Sequence, residues 1–106
     1  MKEIKELLEN ILENINEELE DAEKYARLAV MYKDEDSRLA DTYVRLANEE
    51  LSHSELLHGQ AVRLIEAHRA AGNTAPPVMM AIWDWEHKKS IDHKTKVKAL
   101  IEMYKG

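Results

Sequence analysis

The chain has 106 residues and a mass of 12.3 kDa, with 44% hydrophobic and 34% charged content, which suits one small globular domain and is too short for two. Its 15 Lys and Arg against 21 Asp and Glu leave a formal charge of -6, the wrong sign for gripping phosphate backbones or anionic lipid, so neither nucleic acid nor a membrane surface is expected as a partner. Cysteine is absent, which excludes disulfides, thiolate zinc sites, iron–sulfur clusters and Cys nucleophiles; any metal must be held by Asp, Glu and His.

Taken from its start, the chain opens Met1-Lys2-Glu3 with Lys5 close behind, and its longest weakly polar run, Ala75 to Trp83, is well short of the ~20 residues of a membrane span. A cytoplasmic protein is expected. With 3 Gly, 2 Pro and no Phe in a chain rich in Leu, Glu, Lys and Ala, the expected fold class is all-α. Breakers gather at Lys33-Asp34-Glu35-Asp36-Ser37 and at Ala71-Gly72-Asn73-Thr74-Ala75-Pro76-Pro77, which predicts three long antiparallel helices near 3–33, 35–71 and 76–105 in a single domain. Asp34 or Asp36 is expected to cap the second helix. Gly72 suits a left-handed C-terminal cap, Thr74 the cap of the third helix, and Pro76 and Pro77 its first turn.

Tracing each helix at alternating spacings of three and four shows where an apolar stripe turns polar. The first stripe runs Leu8, Ile11, Ile15, Glu18, Ala22, Tyr25, Ala29, Tyr32, so Glu18 takes an inward position where an unpaired carboxylate is costly. The second runs Leu39, Tyr43, Leu46, Glu50, His53, Leu57, Ala61, Leu64 and contains Glu-x-x-His, a spacing that sets a carboxylate and an imidazole on one face for metal binding. The third repeats the device as Met80, Asp84, His87, Ile91. Glu18, Glu50 and Asp84 are therefore candidate oxygen ligands, and His53 and His87 candidate nitrogen ligands. The first helix also carries Ile4, Leu7, Leu12 and Leu19 on adjacent faces, more apolar surface than two neighbours need cover, which predicts a homo-oligomer, at least a dimer.

Each of these positions has a purely structural reading as well. Glu18 can pair with Lys or Arg of a neighbouring helix, Glu50 and His53 can form a hydrogen-bonded core pair, and Asp84 and His87 can be displaced outward if Trp83 and Trp85 face in. His58, His68 and His93 fall off the best stripes or near helix ends, and Asp21, Glu49 and Glu86 read as solvated. Tyr25 and Tyr43 read as core residues able to donate to a ligand. No nucleophile–base–orienter set and no Gly-rich phosphate loop is present, which sets aside hydrolase and nucleotide-binding functions.

The stretches Glu17-Glu18-Leu19-Glu20-Asp21-Ala22-Glu23-Lys24-Tyr25-Ala26 and Leu46-Ala47-Asn48-Glu49-Glu50-Leu51-Ser52-His53 resemble the ferritin-like di-iron carboxylate superfamily. In size and motif they are most similar to the encapsulated ferritins, half-length chains carrying one Glu helix and one Glu-x-x-His helix. The resemblance implies a ferritin-like half-bundle completed by oligomerisation and a ferroxidase-type activity that binds and oxidises Fe(II) at a di-iron site. Glu18 would then be a terminal ligand, Glu50 a bridging ligand and His53 a terminal nitrogen ligand, with two chains completing one site. Zinc or manganese are the alternative metals for the same donors. The Asp84/His87 pair opens a second arrangement in which the site closes within one chain, and its flanking pattern favours that arrangement. The C-terminal Ile101-Glu102-Met103-Tyr104-Lys105-Gly106 lacks a Gly/Leu-rich tail, so an encapsulin shell is not expected as a partner. A different class of function also fits: a non-catalytic helical oligomerisation module, phage or accessory, whose inward polar residues set register.

Overall fold

Helix-forming composition and two clusters of breakers give three helices in the computed structural model, which describes residues 3–106; Met1 and Lys2 lie outside the described residues. They are α1 (Ile4–Tyr32), α2 (Ser37–Ala70) and α3 (Pro77–Lys105), with no strand among the described residues. Asp36 caps α2, its Oδ1 accepting from the Leu39 amide at 3.1 Å. The α2 end closes as a Schellman motif: the Gly72 amide donates to the Arg69 carbonyl and Asn73 to His68, with Gly72 at φ 82°. The cap expected from Thr74 does not form. Pro76 is the N-cap, without a side-chain bond, and Pro77 opens the helix because it lacks the N–H that a first turn leaves unpaired. Among the described residues no helix is long and apolar enough to cross a membrane.

Pairs in contact across the helices define the register. On α1 and α3, Asn16 meets Glu86 and Glu23 meets His93, a constant offset of 70 that makes these helices parallel. The α2 helix runs antiparallel to both, as Glu18 with His53, Tyr25 with Tyr43, and Asp41 with Tyr104 require. The result is an up-down-up arrangement 56 × 22 × 17 Å in extent. The α1 helix is central and packs on both partners, whereas α2 and α3 meet mainly through side chains.

One core cluster joins Ile15, Leu19, Ala22 and Ala26 of α1 to Ala47 and Leu51 of α2 and to Val97 and Ile101 of α3. A second joins Leu8 and Leu12 to Ala61 and Ile65 and to Met79 and Trp83. The wide apolar surface of α1 is thus shared between two intrachain neighbours. Leu12 and Leu19 are buried by these neighbours, while Ile4, Leu7 and Ile11 stay half-buried. Along α2 the inward stripe is Ala40, Ala47, Leu51, Ser54, Ala61 and Ile65, rotated from the one marked by its larger apolar residues. Small side chains on both helices allow close approach, and close packing recovers more dispersion than a stripe of leucines held further apart.

Candidate metal centre

Glu18 lies about midway along α1, and Glu50 and His53 about midway along α2, in the antiparallel register that brings them level. One ligand atom from each lies within 4.8 Å of the other two. His53 Nδ1 stands 3.4 Å from Glu18 Oε2 and 3.7 Å from Glu50 Oε1. The carboxylates are the more enclosed members, with side-chain exposures of 28% for Glu18 and 18% for Glu50 against 52% for His53. The group therefore sits at the edge of the α1–α2 seam with an open side.

Its electrostatics follow from that placement. Glu50 is pushed up from the ordinary carboxyl value of 4.5 to about 7, chiefly because its carboxyl shares a hydrogen bond with that of Glu18, then through burial and the repulsion of the Glu18 charge; His53 opposes the shift and Asp21 adds to it. Two acids and one imidazole thus face a common point with too little positive charge between them. A divalent cation there would replace the shared proton, and the imidazole would supply nitrogen once its ring lone pair is turned to the cation.

The surroundings leave this flank open. Glu18 lies on the side of α1 away from Asn16 and Glu23, the residues that reach α3. Around the acids, Ile11, Tyr25, Leu28 and Tyr32 of α1 and Tyr43, Leu46, Leu57 and Leu64 of α2 are half-buried, with Asn14 and Asp21 exposed beside Glu18. Tyr43 stacks between Tyr25 and Tyr32, with ring centroids 6.1 and 6.3 Å away, and extends that flank toward the α1–α2 turn.

The structure does not bring Asp84 and His87 to this group. Where α2 and α3 meet, residue numbers sum to about 145, as in His58 with His87 and Asp41 with Tyr104. That register sets Asp84 level with a point about 11 residues beyond Glu50, or about 16 Å along the axis. Asp84 is exposed on a groove with Glu66, Arg69, Met80 and Trp83. His87 stacks instead on His58 and Trp83. The expectation of an intrachain site closed by Asp84 and His87 is corrected accordingly: the buried stripe of α3 is Met79, Trp83, Val97 and Ile101, one position off the Met80 stripe. Trp83 takes the inward position at 9% exposure, burying a large indole, while Ile91 and Trp85 point outward at 49% and 66%.

Two features escaped the sequence reading. His58, off the main stripe, meets α3 because the true inward face of α2 is the alanine seam beside it. Glu9, Glu13, Glu17, Glu20 and Glu86 line a groove of about 410 Å³ between α1 and α3, visible only once the parallel register of those helices is known. Comparison with protein-family models, with curated proteins and with solved structures gives no match for this chain.

Proposed function

We propose that the chain binds divalent metal, Fe(II) foremost, through Glu18, Glu50 and His53, and that two copies pair through the open α1–α2 flank to complete a di-metal oxidation site. The observation that carries this reading is the convergence of the three ligand atoms within 4.8 Å. Three donors are too few for one octahedral ion and fewer still for two. A two-fold axis through the flank doubles them to four carboxylates and two imidazoles, a set suited to a pair of metals, while the apolar residues around the acids supply the interface. Within such a site Glu18, Glu50 and His53 of each copy would hold the metals, Glu50 being the more enclosed acid. Carboxylate oxygens favour the harder Fe(III) over Fe(II), so they lower the cost of losing an electron to dioxygen or peroxide.

Anaerobic Fe(II) titration of the wild type, followed by sedimentation with and without metal, tests the reading. Saturation at two metals per dimer is expected, with tight binding lost in Glu18→Ala, Glu50→Ala and His53→Ala while far-UV helicity is kept. Unchanged binding in these variants refutes the site, and a monomer that still takes up two metals refutes the shared axis.

A further inference from the structure

Away from the three proposed ligands, three rings lie face to face between α2 and α3. His58 and His87 have centroids 4.8 Å apart and planes inclined by 23°; Trp83 lies 5.4 Å from His87 and 5.8 Å from His58. The two imidazoles border an enclosed cavity of about 70 Å³ with Ser54, Ser90 and Lys94. Both serine hydroxyls donate to backbone carbonyls, Ser54 to Leu51 and Ser90 to His87, each at 2.7 Å. His87 Nδ1 is buried with no hydrogen-bond partner.

The charges around this pair are one-sided. From α3 comes Lys94, whose Nζ is 3.8 Å from the exposed Glu55 of α2. The α1 helix contributes only Ile15 to the cavity. Asp84 and Glu66 line a separate groove together with Arg69. Within the cavity a proton on either imidazole therefore faces the other ring and an ammonium, with no carboxylate in the lining. Burial, His87 and Lys94 together hold His58 below the ordinary histidine value.

We propose that the His58–His87 stack is an acid-released clasp: with both rings neutral it holds the N-terminal half of α3 on α2, and on protonation below neutral pH that half loosens from α2 while α1 still tethers it. The two halves of α3 differ in what else holds them. The C-terminal half has Val97 and Ile101 in the core, Tyr104 donating to Asp41, and His93 Nε2 3.0 Å from Glu23. On α2 the N-terminal half is held by Met79 and by Trp83, which the imidazoles themselves cover, while on α1 it keeps the bond that Asn16 donates to Glu86 at 3.2 Å. Loss of the clasp exposes that indole and uncovers Ala61 and Ile65 of α2.

Hydrogen exchange of the full chain at pH 7.5 and 5.0, in chelator and corrected for intrinsic rates, tests this independently of metal binding. Amides of 79–91 are expected to lose protection by about tenfold or more, since each pH unit below the ordinary value is a factor of ten, while 94–105 keep theirs. In a Trp85→Phe background, exposure of the Trp83 indole is expected to shift its emission to longer wavelength with the same midpoint. The His58→Gln/His87→Gln variant is expected to protect 79–91 equally at both pH values. Should that variant not fold, Lys94→Gln serves, because removing the ammonium moves the Trp83 midpoint upward. Equal protection of 79–91 in the wild type at both pH values overturns the proposal. So does acid loss that persists in the double variant, or a midpoint indifferent to Lys94→Gln.

Discussion

Replacing Glu50 by Gln is expected to stabilise the metal-free protein, and only above the acid range. In the folded chain the Glu50 carboxyl holds its proton up to about 7, against 4.5 for an ordinary glutamate, because Glu18 shares that proton and the helices exclude part of the solvent. A gap of about 2.5 pH units, at 1.36 kcal/mol each, bounds the penalty for ionising Glu50 at about 3 kcal/mol. The open flank screens some of it, so about 1–2 kcal/mol is expected. Between 4.5 and 7 the folded chain keeps a proton that the unfolded chain has released, so stability declines as pH rises through that window and levels off above it. Gln keeps the shape, donates its amide to the Glu18 carboxylate and never ionises. At pH 8 with chelator, thermal unfolding followed by circular dichroism is expected to place the variant above the wild type by about 4–8 °C per kcal/mol, at matched protein concentration. At pH 4.5 the two are expected to coincide. Adding Fe(II) anaerobically reverses the order at pH 8, since only the wild type gains binding energy. A variant equally shifted at both pH values, or destabilised at pH 8, refutes the shared-proton account.

Other consequences follow from the same geometry. Because the cation replaces the Glu50 proton, apparent metal affinity is expected to fall about tenfold for each pH unit below 7, read by Co(II) absorbance titration; a flat profile between pH 5 and 7 contradicts it. Asp84→Ala is expected to leave metal stoichiometry and affinity unchanged, measured side by side with the wild type, because Asp84 stands about 16 Å up the axis from Glu50. Gly72→Ala is expected to cost about 1 kcal/mol in urea unfolding: at φ 82° a side chain strains the backbone, although no atom crowds the position. A neutral or stabilising result would show that the α2–α3 turn relaxes.

Much of this architecture was legible in the linear sequence because helices carry their signals locally. Breaker clusters at 33–37 and 71–77 bound the three elements, Asp36 and Gly72 act as the caps their chemistry suits, and the three-residue spacing of Glu50 and His53 puts them on one face whatever surrounds them. Glu18 stood out for the same reason, as a carboxylate at an apolar beat. The lateral and axial relations between helices, by contrast, were decided by tertiary packing. Large apolar residues drew the expected stripes, yet α1 and α2 approach through Ala22, Ala26 and Ala47, and the stripe bearing Glu50 and His53 is turned to an open flank. The Asp84/His87 spacing copies that of Glu50/His53 and still serves a different place, because Trp83 takes the inward position on α3. Register joins Glu18 to Glu50 and His53, and separates Asp84 from them. A helix repeat fixes which residues share a face but carries no information on which height of a neighbour they meet; only the packed core supplies that.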